Sequence, residues 1–371
     1  MPRPPLGTAA TGGSSSEPML TSFDAIIIGA GPAGASCAIL LARADWRVAL
    51  VEKSGFPRGK LCGEWLGAGT LPLLTGLGVG DALADLCGPP LRRFALVHRD
   101  RQINAVLPRA ADPHHPWGRA LRREHLDAVL LKRARQDGAT LFKPWQAQRV
   151  RGVPGDIGCD LSHVHWADRL TLQGALVIDA QGAPDALSDS ASTGGGAQPD
   201  ADLFTFKGSF ANLDLDAGLL RVSSFAGGHA SLLMADRDTV TLTLCLRRAQ
   251  LAECRQRFPD HPAADAAVAY LTSACAATGA LLAAAEQRGA WIAGAAHPML
   301  GDGVDMAIES AVLLARMLIA AGRDDLQARS LGLLHAAYLN AWRARFAALF
   351  SGAAQVATRR ASRDRGALAA P

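Results

Sequence analysis

The most constraining feature of the sequence is a β-α-β pattern that begins at Phe23 and contains a glycine-rich turn. Residues 24–28 are mostly apolar and partly β-branched, as is typical of a central parallel strand. A helix is predicted over 33–43 and a second apolar strand over 47–51. The turn between the first strand and the helix reads GAGPAG, residues 29–34. A chain that begins in this way is expected to build an α/β domain around a parallel sheet.

This turn fits the pattern G-x-G-x-x-G, which binds the diphosphate of a dinucleotide. Gly29 permits the tight turn, Gly31 lets the backbone approach the diphosphate, and Gly34 lets the helix pack on the strands. Glu52 ends the second strand, where a carboxylate accepts hydrogen bonds from ribose hydroxyls and disfavours a 2′-phosphate. The alternative, a glycine-rich turn that binds nothing, is disfavoured because strand, helix and acid occur together. The predicted dinucleotide-binding residues here are Gly29, Gly31, Pro32, Ala33, Gly34, Glu52 and Lys53.

Composition excludes several other classes of protein. The chain has 371 residues, 49% of them hydrophobic, which predicts a globular protein of about two domains. With 38 Lys+Arg against 34 Asp+Glu, the net charge of +4 is too small to indicate nucleic-acid binding. The seven cysteines include no C-x-x-C pair, so neither a disulfide framework nor a zinc site is predicted, and we expect a cytoplasmic protein. No apolar run has the length of a transmembrane segment.

The rest of the chain predicts one domain interrupted by another. Short strands around 94–107 predict a hairpin, and apolar spacing over 122–136 predicts a helix. Residues 204–246 alternate strand-like segments with glycine-rich turns, which is typical of an antiparallel sheet. Helices are predicted over 304–321 and 331–356, followed by a basic, disordered tail.

Several segments resemble the motifs of one family. Residues 56–66, FPRGKLCGEWL, resemble the F-P-R-x-K-x-C-G-E-x-L stretch of FAD-dependent oxidoreductases of the geranylgeranyl-reductase-like and aromatic-hydroxylase-like superfamily. Further resemblances follow in the family's order. They are the R-x-x-[LF]-D helix start at 123–127, the late strand and turn at 176–182, the F-K strand at 202–207, the F-x-G-G-Y strand at 225–229, and the P-x-x-G-x-G-[IV]-x-x-A segment at 297–307.

The resemblance implies a Rossmann-like FAD-binding domain interrupted by an antiparallel β-sheet substrate domain, with a helical C-terminus. It implies FAD as cofactor, NAD(P)H as a candidate reductant, and a small apolar or aromatic substrate. The expected boundaries are a disordered leader (1–21), FAD-binding parts (22–90, 119–183 and 291–325), a substrate-domain hairpin (91–118), the antiparallel substrate domain (184–290), and a C-terminal helix and tail (326–371).

The same resemblance implies additional cofactor contacts. A helix that starts near Gly303 would direct its N-terminus at the flavin and stabilise negative charge there. Arg58 could instead lie in a solvated loop, and Cys62 could be a small buried residue. His297 is the one candidate proton donor, and no metal site is predicted. The additional cofactor-binding residues are Arg58, Cys62, Arg123, Asp179, Gly182, Pro298, Gly301, Asp302, Gly303 and Val304.

Residues 291–296, WIAGAA, depart from the family pattern. The family has G-D-A-A or G-N-A-A here, and the polar residue binds the ribityl chain. Either Gly294 replaces that residue, or a block holding the strand is lost; the second is favoured because residues 288–291 resemble a segment that usually lies well before that strand. Gln181 stands where the family has a carboxylate, which leaves the reductant open.

Three functions follow from these observations. The first is an FAD-dependent monooxygenase that hydroxylates an apolar or aromatic metabolite. The second is a flavin-dependent reductase of isoprenoid or polyketide double bonds, and the third is a shortened, flavin-deficient relic without enzymatic activity. A flavin halogenase is disfavoured because its W-x-W-x-I-P motif does not occur.

Overall fold

The computed structural model describes residues 22–182, 203–295, 303–323, 326 and 328–367. The strands are β1 (Ser22–Ile28), β2 (Val48–Val51), β3 (Trp65–Leu66), β4 (Arg93–His98), β5 (Arg101–Val106), β6 (Arg119–Ala120), β7 (Thr140–Phe142), β8 (Trp145–Val153), β9 (Asp156–His163), β10 (Arg169–Asp179), β11 (Leu203–Ala211), β12 (Leu219–Phe225), β13 (Gly228–Met234), β14 (Val240–Arg247) and β15 (Glu286–Ala295). The helices are α1 (Pro32–Arg43), α2 (Leu71–Gly76), α3 (Gly80–Ala84), α4 (Arg123–Gln136), α5 (Arg248–Arg257), α6 (Ala263–Ala274), α7 (Ala276–Leu282), α8 (Gly303–Ala321) and α9 (Ala328–Ala367).

The first sheet has six strands in the order β7-β2-β1-β10-β9-β8. The strands β7, β2, β1 and β10 are parallel, whereas β9 and β8 continue the sheet antiparallel. The predicted β-α-β unit is present as β1, α1 and β2. The residues of β1 are apolar and buried on both faces of the strand, as is typical of a central strand that is covered on both sides. The strands β7, β8 and β9 were not anticipated from the sequence.

The second sheet has seven strands in the order β15-β11-β14-β13-β12-β4-β5. Its strands are antiparallel except for the parallel pair of β12 and β4. The predicted hairpin forms β4 and β5 and is the edge of this sheet, and the predicted antiparallel segment forms β11 to β14. A short pair, β3 with β6, lies apart from both sheets.

Separate apolar cores hold these layers together. One face of the first sheet packs on α1, α4 and α8 through buried residues such as Ile27, Leu126 and Ile308. The second sheet packs on α5, α6 and α7 through residues such as Leu244 and Leu271. A smaller apolar cluster lies around β3, β6 and β12 and includes Leu220 and Leu233 of the second sheet. Each sheet therefore has its own group of helices packed on it.

Two boundaries differ from the sequence-based expectation. The strand β15 continues past the expected boundary at residue 291, so residues 291–295 lie in the second sheet, paired with β11. The helix α9 continues to Ala367, through most of the tail that was expected to be disordered. The expected leader and residues 183–202 and 296–302 lie outside the described residues, and with them His297, Pro298, Gly301 and Asp302.

Candidate flavin site

The glycine turn between β1 and α1 has the backbone geometry of a close approach. Gly29 has φ +101°, and a Cβ built on it would lie 2.5 Å from the carbonyl oxygen of Ala180. A Cβ on Gly34 would lie 1.8 Å from the carbonyl oxygen of Gly29, so only glycine fits at both positions. A Cβ on Gly31 would meet only a side-chain nitrogen of Arg58, at 3.9 Å. The space in front of Gly31, at the start of α1, is therefore open.

Glu52 follows β2 directly and is 3% exposed. Its Oε2 accepts a hydrogen bond from the backbone N–H of Ala30 at 2.9 Å. Its Oε1 accepts from the Ser54 N–H and from Arg58 Nη1, both at 2.7 Å. The carboxylate predicted to bind ribose is thus tied to the glycine turn and to its own loop. A buried carboxylate needs a nearby cation to compensate its charge, and Arg58 is that cation here.

Arg58 lies at the mouth of the glycine turn. Its side chain is 14% exposed, so the alternative of a solvated loop does not hold. Besides Glu52, the guanidinium lies 3.7 Å from Asp127 and 4.6 Å from the centre of the Phe56 ring. Lys53, by contrast, is exposed. A single charged side chain therefore reaches the carboxylate, the helix α4 and the open space before Gly31.

Arg123 opens α4 and makes two hydrogen bonds to Asp127, of 2.8 and 2.9 Å. Burial lowers the pKa of the Arg123 guanidinium, but the hydrogen bonds and charge of Asp127 outweigh this and hold it above its usual range. The half-buried Cys62 is close by. Burial raises the pKa of its thiol, and the positive charge of Arg123 opposes this rise only in part. The thiol is therefore kept in its neutral form next to a fixed positive charge.

Glu64 and Lys207, which the sequence did not single out, form a buried ion pair between the loop after β2 and the second sheet. Glu64 has φ +60°, and its carboxylate also accepts from Thr241 Oγ1 at 2.5 Å and from the Arg123 N–H at 3.1 Å. The Lys207 ammonium donates in addition to the carbonyl oxygen of Lys60, at 3.1 Å. The signal was present in the sequence, since each of the resembled C-G-E and F-K motifs contains one member of the pair.

The late turn after β10 places Asp179 next to the glycine turn. Its Oδ1 accepts from the backbone and side-chain nitrogens of Gln181, each at 3.1 Å, and Gly182 follows with φ +77°. The strand β10 pairs with β1 up to Asp179, but with β9 only up to Gly174. Within the described parts of the chain, no strand lies on the other side of residues 175–179.

Gly294 does not lie beside residues 175–179 of β10, on the side where no strand pairs with them. It lies in β15, where it pairs with Thr205 of the second sheet. A Cβ on Gly294 would lie 3.3 Å from Leu61, so its small size lets the loop after β2 pack on β15. The interpretation that Gly294 replaces the family's ribityl-binding residue is therefore wrong.

The helix α8 starts at Gly303, and the next residue, Val304, is buried in the core that it shares with α1. Asp305 Oδ2 accepts a hydrogen bond from the Gly67 N–H at 2.7 Å, which ties the first turn of α8 to the loop after β3. Among the described residues, no cluster of three or more potential metal ligands occurs. In the same part of the chain, no helix has the length and apolar character needed to cross a membrane.

Comparison with known proteins finds similarity to FAD-binding proteins in the first part of the chain. The family model described as FAD binding domain matches residues 22–182, which include the glycine turn, Glu52, Arg58 and Arg123. The chain is 37% identical over 121 residues to squalene epoxidase 4 of Arabidopsis thaliana, covering 32% of this chain and 22% of that protein. It is 32% identical over 121 residues to menaquinone reductase of Mycobacterium tuberculosis, covering 33% and 29%.

Residues 22–182 belong to the FAD binding domain family. The matches of the chain span less than a third of the length of these two relatives. Its fold is similar to that of the myxobacterial chondrochloren halogenase, with a TM-score of 0.74 and 18% identity over 89% of this chain and 81% of that one. At this identity, the similarity shows that the two chains share a fold, and nothing about the reaction.

The described residues of this FAD-binding domain fit the adenosine and diphosphate half of FAD. The open space before Gly31 gives a diphosphate access to the start of α1. The N–H groups there and the Arg58 guanidinium are the hydrogen-bond donors that a diphosphate needs. Glu52 already accepts three hydrogen bonds, and a carboxylate offers about four acceptor positions. One position therefore remains for a ribose hydroxyl.

Proposed function

We propose that the protein is an FAD-dependent monooxygenase that hydroxylates a small apolar or aromatic metabolite with NAD(P)H as the reductant. The observation that carries this proposal is the open glycine turn with Arg58 at its mouth, inside the matched FAD-binding domain. When FAD is bound, it supplies the oxidation and reduction chemistry. The protein's own residues have to bind it, orient it and exclude water.

Several of the predicted cofactor-binding residues have a role in this proposal. Gly31 lets the diphosphate reach the N–H groups of α1, and Arg58 adds a positive charge to it. The N-terminus of α8, at Gly303, would stabilise negative charge on the flavin through its helix dipole. Arg123 and Cys62 would help to hold the cofactor, and the Glu64–Lys207 pair holds the loop that carries Cys62 on the second sheet.

The substrate is proposed to lie between the second sheet and the loop after β2. Around this junction, Trp65, Phe94 and Val222 are only partly buried and lie against the apolar cluster of Leu220 and Leu233. Such a surface suits an apolar or aromatic molecule, since polar groups there would lose hydrogen bonds to water. The squalene epoxidase and menaquinone reductase named above also favour this class by their names.

The decisive test is the visible absorption spectrum of the purified protein before and after incubation with FAD and desalting. Retained flavin bands support the proposal, and a colourless protein that refuses FAD overturns it in favour of the flavin-deficient relic. With flavin bound, NADPH oxidation coupled to oxygen uptake on aromatic test compounds supports hydroxylation. The similarity to menaquinone reductase favours double-bond reduction as the second candidate, and substrate turnover under strict exclusion of oxygen would establish it.

A further inference from the structure

A groove of about 860 Å³ lies beside the terminal strand of the first sheet. It is bounded by α4, by β7 and by the loop after β2, where Phe56 forms part of its wall. Neither the glycine turn nor Glu52 lines it. The groove is therefore distinct from the proposed cofactor site, although Phe56 and Arg58 belong to the same loop.

The helix α4 presents two different faces. Its core face carries the fully buried Leu126 and Leu130. Its groove face carries Ala128, Lys132 and Arg135, which follow one another at intervals of about one turn. The small side chain of Ala128 leaves room at one end of the groove.

The charges of this groove are all positive. Lys132, Arg135 and Lys143 line it and are exposed, and no Asp or Glu is among the lining residues. Within the described residues, none of these three cations forms an ion pair. The nearby carboxylates are engaged elsewhere, Asp127 with Arg123 and Asp137 with Arg133. Three uncompensated cations in one concave surface favour a multiply charged anion.

We propose that the groove binds a small organic phosphate other than the flavin cofactor, with its phosphate between Arg135, Lys132 and Lys143. An arginine fork and two lysines suit the charge and the several acceptor oxygens of a phosphate better than a single carboxylate does. The volume is that of a small-molecule site, which favours a free metabolite over a macromolecule or a membrane. The uncharged part of the ligand lies on the apolar wall next to Leu131. This proposal does not depend on flavin binding or on catalysis.

The test is titration calorimetry of the full-length protein saturated with FAD, which keeps AMP out of the proposed adenosine site. AMP is the ligand, and adenosine is the unphosphorylated control. We expect AMP to bind and adenosine not to bind, and the affinity to fall as salt is raised. Lys132→Ala and Arg135→Ala should each weaken AMP binding roughly fivefold, as expected for exposed charge pairs. Arg101→Ala, which removes an exposed arginine of β5 in the second sheet, is the matched control and should leave the affinity unchanged.

Other outcomes would overturn the proposal. Equal loss of AMP binding in Arg101→Ala would mean that only net charge matters. Equal affinity for AMP and inorganic phosphate would remove the role of the apolar wall. Binding to phosphatidylglycerol vesicles without binding of AMP would assign the groove to a membrane surface instead. AMP binding that occurs without FAD but is absent in the FAD-saturated protein would assign AMP to the proposed adenosine site instead of the groove.

Discussion

The carboxylate of Glu64 and the ammonium of Lys207 form an ion pair between residues 143 positions apart in the sequence. Glu64 is 2% exposed and Lys207 is 3% exposed, so both charges are removed from water. The pair connects the loop that carries Cys62 to β11 of the second sheet. Glu64 is held in a left-handed backbone conformation, which is uncommon for a residue other than glycine. This buried pair is therefore one of the contacts that fix the position of this loop relative to the second sheet, together with the hydrogen bond from Thr241 to Glu64.

Breaking this pair should destabilise the protein strongly. Lys207→Met leaves the Glu64 carboxylate buried without its cation, and such changes typically cost about 3–5 kcal/mol. The free energy of unfolding, measured in urea, should fall by this amount. Because the loss arises from an uncompensated charge, Glu64→Gln combined with Lys207→Met should recover part of it.

The exposed pair of Arg93 and Asp216 is the matched control. Its side chains are 51% and 66% exposed, so Arg93→Met should cost no more than about 1 kcal/mol. If Lys207→Met were as mild as Arg93→Met, the buried pair would not be needed to hold the loop after β2 on the second sheet.

Gly31 and Gly34 should separate cofactor binding from folding. Gly31→Val places its side chain in open space, so the fold should persist while the diphosphate is blocked. FAD binding should weaken roughly a hundredfold or more, since several hydrogen bonds to charged oxygens, each worth about 1.5–3 kcal/mol, are lost. Gly34→Val should instead lower the melting temperature, because its Cβ would lie 1.8 Å from the Gly29 carbonyl oxygen. Unchanged FAD affinity in a flavin titration of Gly31→Val would contradict this assignment.

The sequence predicted the parts of the fold that rest on local patterns. The strand β1, the helix α1 and the strand β2 follow from apolar periodicity and from the glycine turn, both of which act over a few residues. The hairpin of β4 and β5 and the helix α4 follow from similar local signals. For the same reason, the FAD-binding domain over residues 22–182 could be inferred from motifs that follow one another in the expected order.

Features that depend on distant contacts were missed. Residues 291–295, the second half of β15, were assigned to the flavin part from their place in the order of motifs, whereas their pairing with β11 places them in the second sheet. The partner of Glu64 could not be read from the sequence, since spacing alone does not reveal which lysine meets which carboxylate. Likewise, Arg58 was left between a ligand and a solvated loop, because its burial depends on Asp127 and Phe56.

Arg58 should contribute to flavin binding and to stability in separable ways. Arg58→Gln removes a charge from the mouth of the glycine turn and should weaken FAD binding roughly tenfold. It also leaves the buried Glu52 without its cation, so the free energy of unfolding should fall. The double variant Glu52→Gln, Arg58→Gln should recover stability but not FAD affinity. Recovery of both would mean that Arg58 acts only by compensating Glu52.

The pair of Asp24 and Arg47 should make stability depend on pH in the acid range. Asp24 accepts from the Arg47 backbone N–H at 2.8 Å and from its guanidinium at 2.9 Å. Burial opposes ionisation of Asp24, but the hydrogen bonds and charge of Arg47 outweigh it and hold the pKa of the carboxyl below its ordinary value of 3.8. Because the folded state binds this proton more weakly than the unfolded state, the stabilisation is complete above about pH 4 and is lost as pH falls through the lowered pKa.

Asp24→Asn should therefore reduce the free energy of unfolding near neutral pH, and the difference from the unmodified protein should shrink as the solution is acidified below about pH 4. Urea unfolding at a series of pH values measures this difference directly. Arg47→Met keeps Asp24 in place but removes the guanidinium, so it should flatten the acid dependence that this pair contributes. A stability difference between Asp24→Asn and the unmodified protein that stays constant down to pH 2 would contradict the assignment, because a carboxyl whose ionised form is stabilised by Arg47 must lose that stabilisation once it is protonated.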